Sequence, residues 1–514
     1  MNTPTDLRFS ANGTAPAPRP SGVFPAPFRR EPAWTIFRWH IWVFWLIPLG
    51  LLLTALFMGE ESAGILWSAL AAATACSIAL AAVGYRLTSF VAIVALYHLI
   101  IYPLAAWGNL LLPEPTVRPD LWIDTALAMQ GCAVGMLALA LAAWLANGAM
   151  APQKVAAYGQ TLAAPPSPKS NALIALLIIP VALLLAAIGE YYHMAIIEAS
   201  AAAQSWLNLI SIVQYIAYSG LFLQVYRYTR TNSRTDAFWA GALALLCILL
   251  FLPSGSRYSA FGFLPLLLLA FSEWEPDWRK KIVIIGGSIL VMLALTSGIS
   301  AYRSIKGIDR ANLEEKYSVV LNSTLNPKSD QNDPWAVIIG RMSDYTAAGR
   351  IIAFTPENLD FRGAESLERL WQVFVPGFLN ILPDRLNLAD GAELCDRYWI
   401  TKSYKGFGSS PCMVIGDLYS RWGWPGIFLG MLVIGFVLRQ FDLRIFYRWE
   451  TFTIIFFVLM GRLILSLGAG SLVQLCVTLF RDSLVMALIA YVLAQMVKPS
   501  IAPLKSHGKV QEMG

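Results

Sequence analysis

The sequence predicts an all-α, polytopic membrane protein of about twelve transmembrane helices with one large extramembrane loop. Three observations carry that expectation. The 514 residues are 57% hydrophobic and 14% charged, where a soluble chain of this length is nearer a quarter charged. Apolar runs long enough to cross a bilayer recur along most of the chain. One stretch of about 120 residues, 300–422, breaks the series and contains no convincing span. The net charge of +6 is no argument for nucleic acid, because a membrane chain collects Lys and Arg on one side.

In order, residues 1–36 are rich in Pro, Ala, Ser and Thr without apolar period, and read as a disordered cytoplasmic tail. No signal-peptide cleavage pattern follows, so the first apolar run is expected to stay as a helix. Residues 37–299 hold nine expected spans, near 39–58, 63–84, 87–108, 124–147, 171–190, 206–226, 237–253, 258–272 and 282–299. Residues 423–497 hold three more, near 423–441, 451–468 and 482–497. The segment 471–481 reads either as a re-entrant or interfacial helix or as an extension of the last span. Residues 498–514 form a second tail.

Twelve spans put both termini on one side. Arg86, Lys154, Lys169, Arg227, Arg230, Arg234, Arg279, Lys280, Lys281, Arg439, Arg444, Arg448 and Lys498 fall on that side. The short loops of the other face carry only Arg118, Arg257 and Arg481. The positive-inside rule therefore assigns both termini to the cytoplasm and the 300–422 loop to the outer face. That loop holds fourteen Lys and Arg, but long loops translocate largely regardless of charge. Loops this long are usually functional or separately folded.

The four histidines, His40, His98, His193 and His507, lie outside the loop. Neither a metal-ligand spacing nor a phosphate-binding Gly-rich loop is present. Cys76, Cys132, Cys247 and Cys476 lie in apolar segments and read as packing residues. Cys395 and Cys412 share the loop and are candidates for a disulfide on an oxidising face.

The candidate chemistry is cationic. "FLPSGSRYSAFGFLPLLLLAF", residues 251–271, has Arg257 as its one formal charge. Pro253, Ser254, Gly255 and Ser256 are turn residues, so Arg257 begins a helix at the outer face. There it either snorkels to the headgroups or grips an anion, helped by free backbone N–H groups and the helix dipole. Arg462 lies midway along an apolar span, too deep to snorkel easily. An intramembrane charge is costly and usually partnered. The loop adds Arg303, Arg341, Arg350, Arg385, Arg397, Lys402, Lys405 and Arg421. Guanidinium groups grip phosphate oxygens bidentately and stay charged, so a cavity lined by these residues suits a diphosphate. Asp344, Asp417 and Glu393 are candidates for a base, or are structural ion-pair partners. Tyr398, Trp399, Tyr404, Phe407, Tyr419 and Trp422 either stack on sugar faces or form the loop's own core. For Trp422 and Trp424 an interfacial belt is the favoured reading.

"VPGFLNILPDRLNLADG" (375–391) and "YKGFGSSPCMVIGDLYSRWGWPGIFLGMLVIG" (404–435) close the loop. The order is a Gly-Ser-Arg turn between two spans, a long outer loop with a Pro-rich basic stretch, then "SS…GDLYSRWGWPG" entering the next span. Over residues 250–440 this resembles the Wzy-type oligosaccharide repeat-unit polymerases of O-antigen and exopolysaccharide biosynthesis, relatives of the O-antigen ligases. The resemblance implies a glycosyltransferase of the bacterial inner membrane. Its substrate would be a polyprenyl-diphosphate-linked oligosaccharide, here undecaprenyl diphosphate, with neither metal nor cofactor. A chain-length regulator is an implied partner besides the bilayer. It also implies catalytic arginines in the outer loops, carried here onto Arg257 and the loop arginines; Arg462, Asp344 and Asp417, singled out above by position and chemistry, complete the candidate catalytic set. Arg303, Arg341, Arg385, Arg397, Lys402, Lys405, Tyr419 and Arg421 are the expected substrate-binding residues. Three alternatives remain. O-antigen ligases share the layout but rely on a loop histidine, which this loop lacks. Lipid-monophosphate-sugar glycosyltransferases use acids in the first outer loop, where Glu60 and Glu61 fall, but that loop is only a few residues long. A flippase predicts internal repeats, which the sequence does not display.

Overall fold

The computed structural model describes residues 39–112, 122–148, 161–162, 164–191, 201–251, 262–304, 345–374, 413–445, 448–467 and 470–497. It also describes isolated positions at 314–315, 318–319, 322, 339, 394 and 397–398. The chain divides into two compact units, residues 1–43 and 44–514; the second holds the helical bundle.

The helices are α1 (Trp39–Phe57), α2 (Glu60–Ala82), α3 (Phe90–Leu111), α4 (Trp122–Gly148), α5 (Pro168–Ile188), α6 (Ala201–Thr231), α7 (Arg234–Phe251), α8 (Leu264–Trp274) and α9 (Trp278–Ser304). A short α10 (Tyr345–Phe354) and a 3-10 turn, Leu367–Phe374, follow. The last three are α11 (Val414–Ile445), α12 (Thr451–Leu467) and α13 (Leu472–Met496). A helix lies over each of the twelve expected apolar segments. Seven of the described helices are long and apolar enough to cross a membrane, and three shorter apolar ones accompany them. The one sheet among the described residues is a two-residue parallel pair, β1 (Thr161–Leu162) with β2 (Arg448–Trp449). The segment 471–481 joins α13 from Leu472 onward, through a π turn at Thr478–Asp482.

Small residues bring the helices together, as expected where lipid supplies no hydrophobic drive between them. Ala69, Ala72, Ala73, Cys76 and Ala79 of α2 and Ala128, Cys132 and Ala143 of α4 are buried in one core. The thiols of Cys76 and Cys132 meet across that contact, and both cysteines are free packing residues. A Cβ on Gly220 of α6 would lie 2.7 Å from Ile179 of α5, so that crossing has room only for hydrogen.

One end of the bundle is tied by buried polar groups. Asp442 of α11 accepts from the Phe90 N–H at 2.8 Å and from the Ser89 hydroxyl. Arg439 Nη1 stands 3.6 Å from Asp442, and its Nε donates to Asn147 at 2.8 Å. Asn147 in turn donates to the Ala82 carbonyl at 3.0 Å. The ends of α2, α4 and α11 and the start of α3 are thereby locked together. Asp236, which starts α7, takes Arg227 at 3.1 Å, Thr231 at 2.6 Å and Asn171 at 3.4 Å. Trp274 ends α8 against Tyr226 and Trp449, with ring centroids 5.2 and 5.5 Å apart.

The opposite end contains the feature that builds the site. α11 is two limbs meeting at a corner. Trp422 (φ −142°, ψ 16°) and Gly423 (φ 65°, ψ −151°) leave helical geometry. The short limb, residues 414–422, folds back along the first turns of the long one. The Leu418 carbonyl lies where a Cβ of Gly426 would be, and the Leu418 side chain rests on Gly430. Ile415 reaches Gly131 and Gly135 of α4 beside Ile427 and Met431. From Gly423 to Met431 is about 12 Å at 1.5 Å per residue, so the limb re-enters the bundle to that depth. Gly426 and Gly430 receive the chain's own preceding segment. The region assigned to the large loop thus contributes a helix to the bundle interior, because its residues Met413, Val414, Ile415 and Leu418 are apolar and buried.

Gly423 occupies a backbone region open almost only to glycine. Gly423→Ala is expected to cost about 1–3 kcal/mol, with Phe361 as a further obstacle 3.3 Å from the new methyl. A thermal melt in detergent reads that loss; an unchanged melting temperature would show that the corner relaxes freely.

Candidate functional site

Asp417 and Arg421 stand four residues apart on the short limb, hence on one face. Both are buried. Asp417 Oδ1 accepts from Arg421 Nε at 3.0 Å and from Arg362 Nη1 at 3.3 Å. Its Oδ2 accepts the Leu472 N–H at 2.7 Å. Leu472 opens α13, so the carboxylate also faces the positive end of that helix dipole. The Ser471 hydroxyl caps the same end by accepting the Gln474 N–H at 3.3 Å.

The strap preceding the 3-10 turn is bolted to this limb. Arg362 N–H donates to the Ser420 carbonyl at 2.8 Å, and Gly363 N–H to the Arg421 carbonyl at 3.2 Å. Arg421 Nη1 returns hydrogen bonds to the carbonyls of Gly363, at 3.3 Å, and Glu365. Gly363 has φ 57°, the left-handed conformation that turns the strap back. Glu365, on the exposed rim, accepts from Arg362 Nε at 3.1 Å and Arg397 Nη1 at 3.4 Å. Arg397 Nη2 also donates to the Asp360 carbonyl at 3.2 Å.

A fourth arginine approaches from α10. Arg350 Nε donates to the Tyr398 carbonyl at 3.3 Å. Its Nη1 stands 3.9 Å from Asp124 at the start of α4, and its guanidinium lies 4.6 Å from the centre of the Phe354 ring. The Tyr398 and Thr355 hydroxyls are 2.6 Å apart. Burial pushes the Tyr398 phenol above its ordinary value, with the Arg397 and Arg362 guanidinium groups pulling the other way. The phenol stays protonated at neutral pH. Ile351, Leu394 and Tyr398 form a small core of their own with Phe354 and Leu359 at its edge.

The structure thus brings together Arg397, Tyr398, Asp417, Tyr419 and Arg421 from the expected residues, with Arg350 beside them. Asp417 is an ion-pair partner here: its oxygens accept from Arg421, Arg362, the Leu472 N–H and, at 3.5 Å, the Ser420 hydroxyl. Arg421 is wholly enclosed, and Tyr419 is buried between Phe361 and Trp424, with ring centroids 6.3 and 5.4 Å away. Arg303 and Arg462 lie on α9 and α12, their side chains outside the described set. Arg257, Arg341, Asp344, Arg385, Glu393, Lys402 and Lys405 lie outside the described residues, as do Cys395, Cys412, Trp399, Tyr404 and Phe407. Arg362, Glu365 and Asp124 were not legible as partners. Arg362 is 55 residues from Asp417, and no local spacing marks so distant a pair.

Chemically, the site has two layers. The inner layer, Arg362, Asp417 and Arg421, is a desolvated ionic scaffold. The outer layer, Arg350 and Arg397, keeps about a third of each side chain exposed (32% and 35%). Those guanidinium groups are anchored yet reachable, a geometry suited to phosphate or carboxylate oxygens.

Residues 179–497 match the family of domains of unknown function designated DUF8712. The chain belongs to that family. The matched range in this DUF8712 protein includes the corner of α11, the strap, α10 and every arginine of the site, and leaves out Asp124 and α1–α4. No curated protein and no solved structure matches the chain.

Proposed function

We propose that this DUF8712 protein polymerises polyprenyl-diphosphate-linked oligosaccharide repeat units, with the Gly423 end of the bundle facing the periplasm and both termini in the cytoplasm. The carrying observation is the pair of reachable guanidinium groups, Arg350 and Arg397, rooted in the ionic scaffold. α7 ends and α8 begins toward this same end, which supports Arg257, between them in sequence, as a third guanidinium. The Arg227, Arg234, Arg439 and Arg444 positions of the Lys/Arg tally lie at the other end, which supports the orientation.

In this reading the anomeric carbon–oxygen bond to the lipid diphosphate breaks, and a glycosidic bond forms to a hydroxyl of the incoming unit. The hydroxyl proton passes to a base. The electron pair leaves with the diphosphate, whose growing charge Arg257, Arg350 and Arg397 stabilise by preorganised donation. Asp417 holds the scaffold, which leaves Asp344, immediately before α10 in sequence, and Glu393 as the candidate bases.

The test is elongation of a polyprenyl-diphosphate-linked oligosaccharide by the purified protein in liposomes. Removal of one such donor costs about a hundredfold in rate. Lys lacks the bidentate fork, so Arg257→Lys, Arg350→Lys and Arg397→Lys are each expected to approach that loss at normal expression. Movement of the lipid across the bilayer without elongation would replace the polymerase reading with a flippase. Wild-type elongation by all three variants would remove the arginines from the reaction.

A further inference from the structure

We infer that an aromatic rim at the Gly423 end, made by Phe361, Trp371, Trp422 and Trp424, seats in the lipid headgroup layer, so that the strap from Asp360 to Phe374 lies on the membrane surface as an interfacial anchor. This goes beyond the proposed reaction and does not rest on it.

The long limb of α11 sets the level. From Gly423 to Asp442 it rises about 28 Å, close to the roughly 30 Å hydrocarbon thickness of a bilayer. Arg439 and Asp442 close one end of that interval. Trp422 and Trp424, 43% and 36% exposed, close the other. Between them Leu429 and Val433 face outward, 57% and 62% exposed. Aromatic residues with one apolar and one polar edge concentrate at the depth where hydrocarbon meets headgroups.

Phe361 stands at the same level. Its ring abuts Gly423, and it is 45% exposed. The strap's hydrogen bonds to Ser420 and Arg421 hold it there. The 3-10 turn packs on the first turn of α13, whose Leu472 N–H is held by Asp417 of the short limb, and it carries Trp371, 57% exposed, with Glu368 and Arg369 also exposed. Large apolar rings interleaved with exposed charges fit a surface that is apolar below and wet above, the pattern of a segment lying in the interface. Trp424, Phe428, Leu429 and Val433 are exposed along α11, and Phe361 abuts Gly423 at its head, so a lipid leaflet that covers Leu429 and Val433 also meets Trp424 and Phe361.

Wild-type protein in nanodiscs of phosphatidylethanolamine and phosphatidylglycerol tests this. One preparation carries a photoactivatable carbene source on the lipid headgroup, a second at the acyl-chain end, and a third uses a water-soluble carbene source. Cross-linked residues are mapped by mass spectrometry. The headgroup probe is expected to label peptides holding Phe361, Trp371 and Trp424 severalfold more than the chain-end probe, which labels Leu429 and Val433. A double variant, Phe361→Ser with Trp371→Ser, loses the strap's headgroup labelling and keeps that of α11. Labelling of the strap by the water-soluble source alone would make the rim the wall of an aqueous cavity and overturn the inference. Dominant chain-end labelling, or none from any source, would overturn it too.

Discussion

Asp417→Ala is expected to be the most damaging substitution in the chain. It leaves Arg421 enclosed and Arg362 nearly so, without the carboxylate that they share, and it leaves the start of α13 with the Ser471 cap alone. Breaking a buried ion pair by removing one partner costs about 3–5 kcal/mol. The Leu472 N–H loses its acceptor as well, and an orphaned buried donor adds about 1–3 kcal/mol. Asp417→Asn keeps an acceptor for Leu472 but removes the charge, so it falls between wild type and Asp417→Ala. Stability against detergent denaturation, read by tryptophan fluorescence, orders the three. A nearly unchanged Asp417→Ala would mean that water reaches the arginines, and that the inner layer is not a desolvated scaffold. Under the proposed polymerase reading, elongation falls with the scaffold in both variants, whereas Arg397→Lys loses elongation with stability intact. That contrast separates the layer that supports the fold from the layer proposed to meet the substrate.

Gly349→Ala is expected to come second. Gly349 sits where α10 presses on the first turn of α4, and a Cβ there would fall inside the Asp124 carbonyl group. Backbone cannot swing aside as a flexible side chain can, so α10 must lift off α4. Overpacking typically costs about 1–3 kcal/mol, and a backbone clash belongs at the upper end, near 3 kcal/mol. Lifting α10 also parts Arg350 from Asp124. Gly286→Ala is the control: nothing lies within 4 Å of its Cβ position, and alanine is the better helix former by up to about 1 kcal/mol. Equal melting temperatures for Gly349→Ala and Gly286→Ala would show that the α10–α4 contact carries little of the fold.

What the sequence by itself determined is the set of helices. Each of the twelve apolar segments became one, because an unsatisfied backbone polar group is too costly in an apolar surrounding for any other local structure. The stretch "GDLYSRWGWPG" read from sequence only as the entry to a span; the corner at Trp422 and Gly423 within it is a finding of the structure.

Only the tertiary structure decided what the charges do. Asp417, Arg421 and Arg397 were candidates as residue types, but a charge on an apolar helix is equally compatible with catalysis, snorkelling and ion pairing. Folding the short limb back beside Ile427 and Met431 carried Asp417 to the start of α13 and brought in Arg362 from 55 residues away. Periodicity reports which face of a helix is apolar; it carries no information on which distant segment supplies a counter-ion, since that pairing is set by the packing of several helices at once. The same packing left Arg350 and Arg397 at the surface of the scaffold while enclosing Arg421, a division among three arginines of identical chemistry that arises solely from where the helices place them.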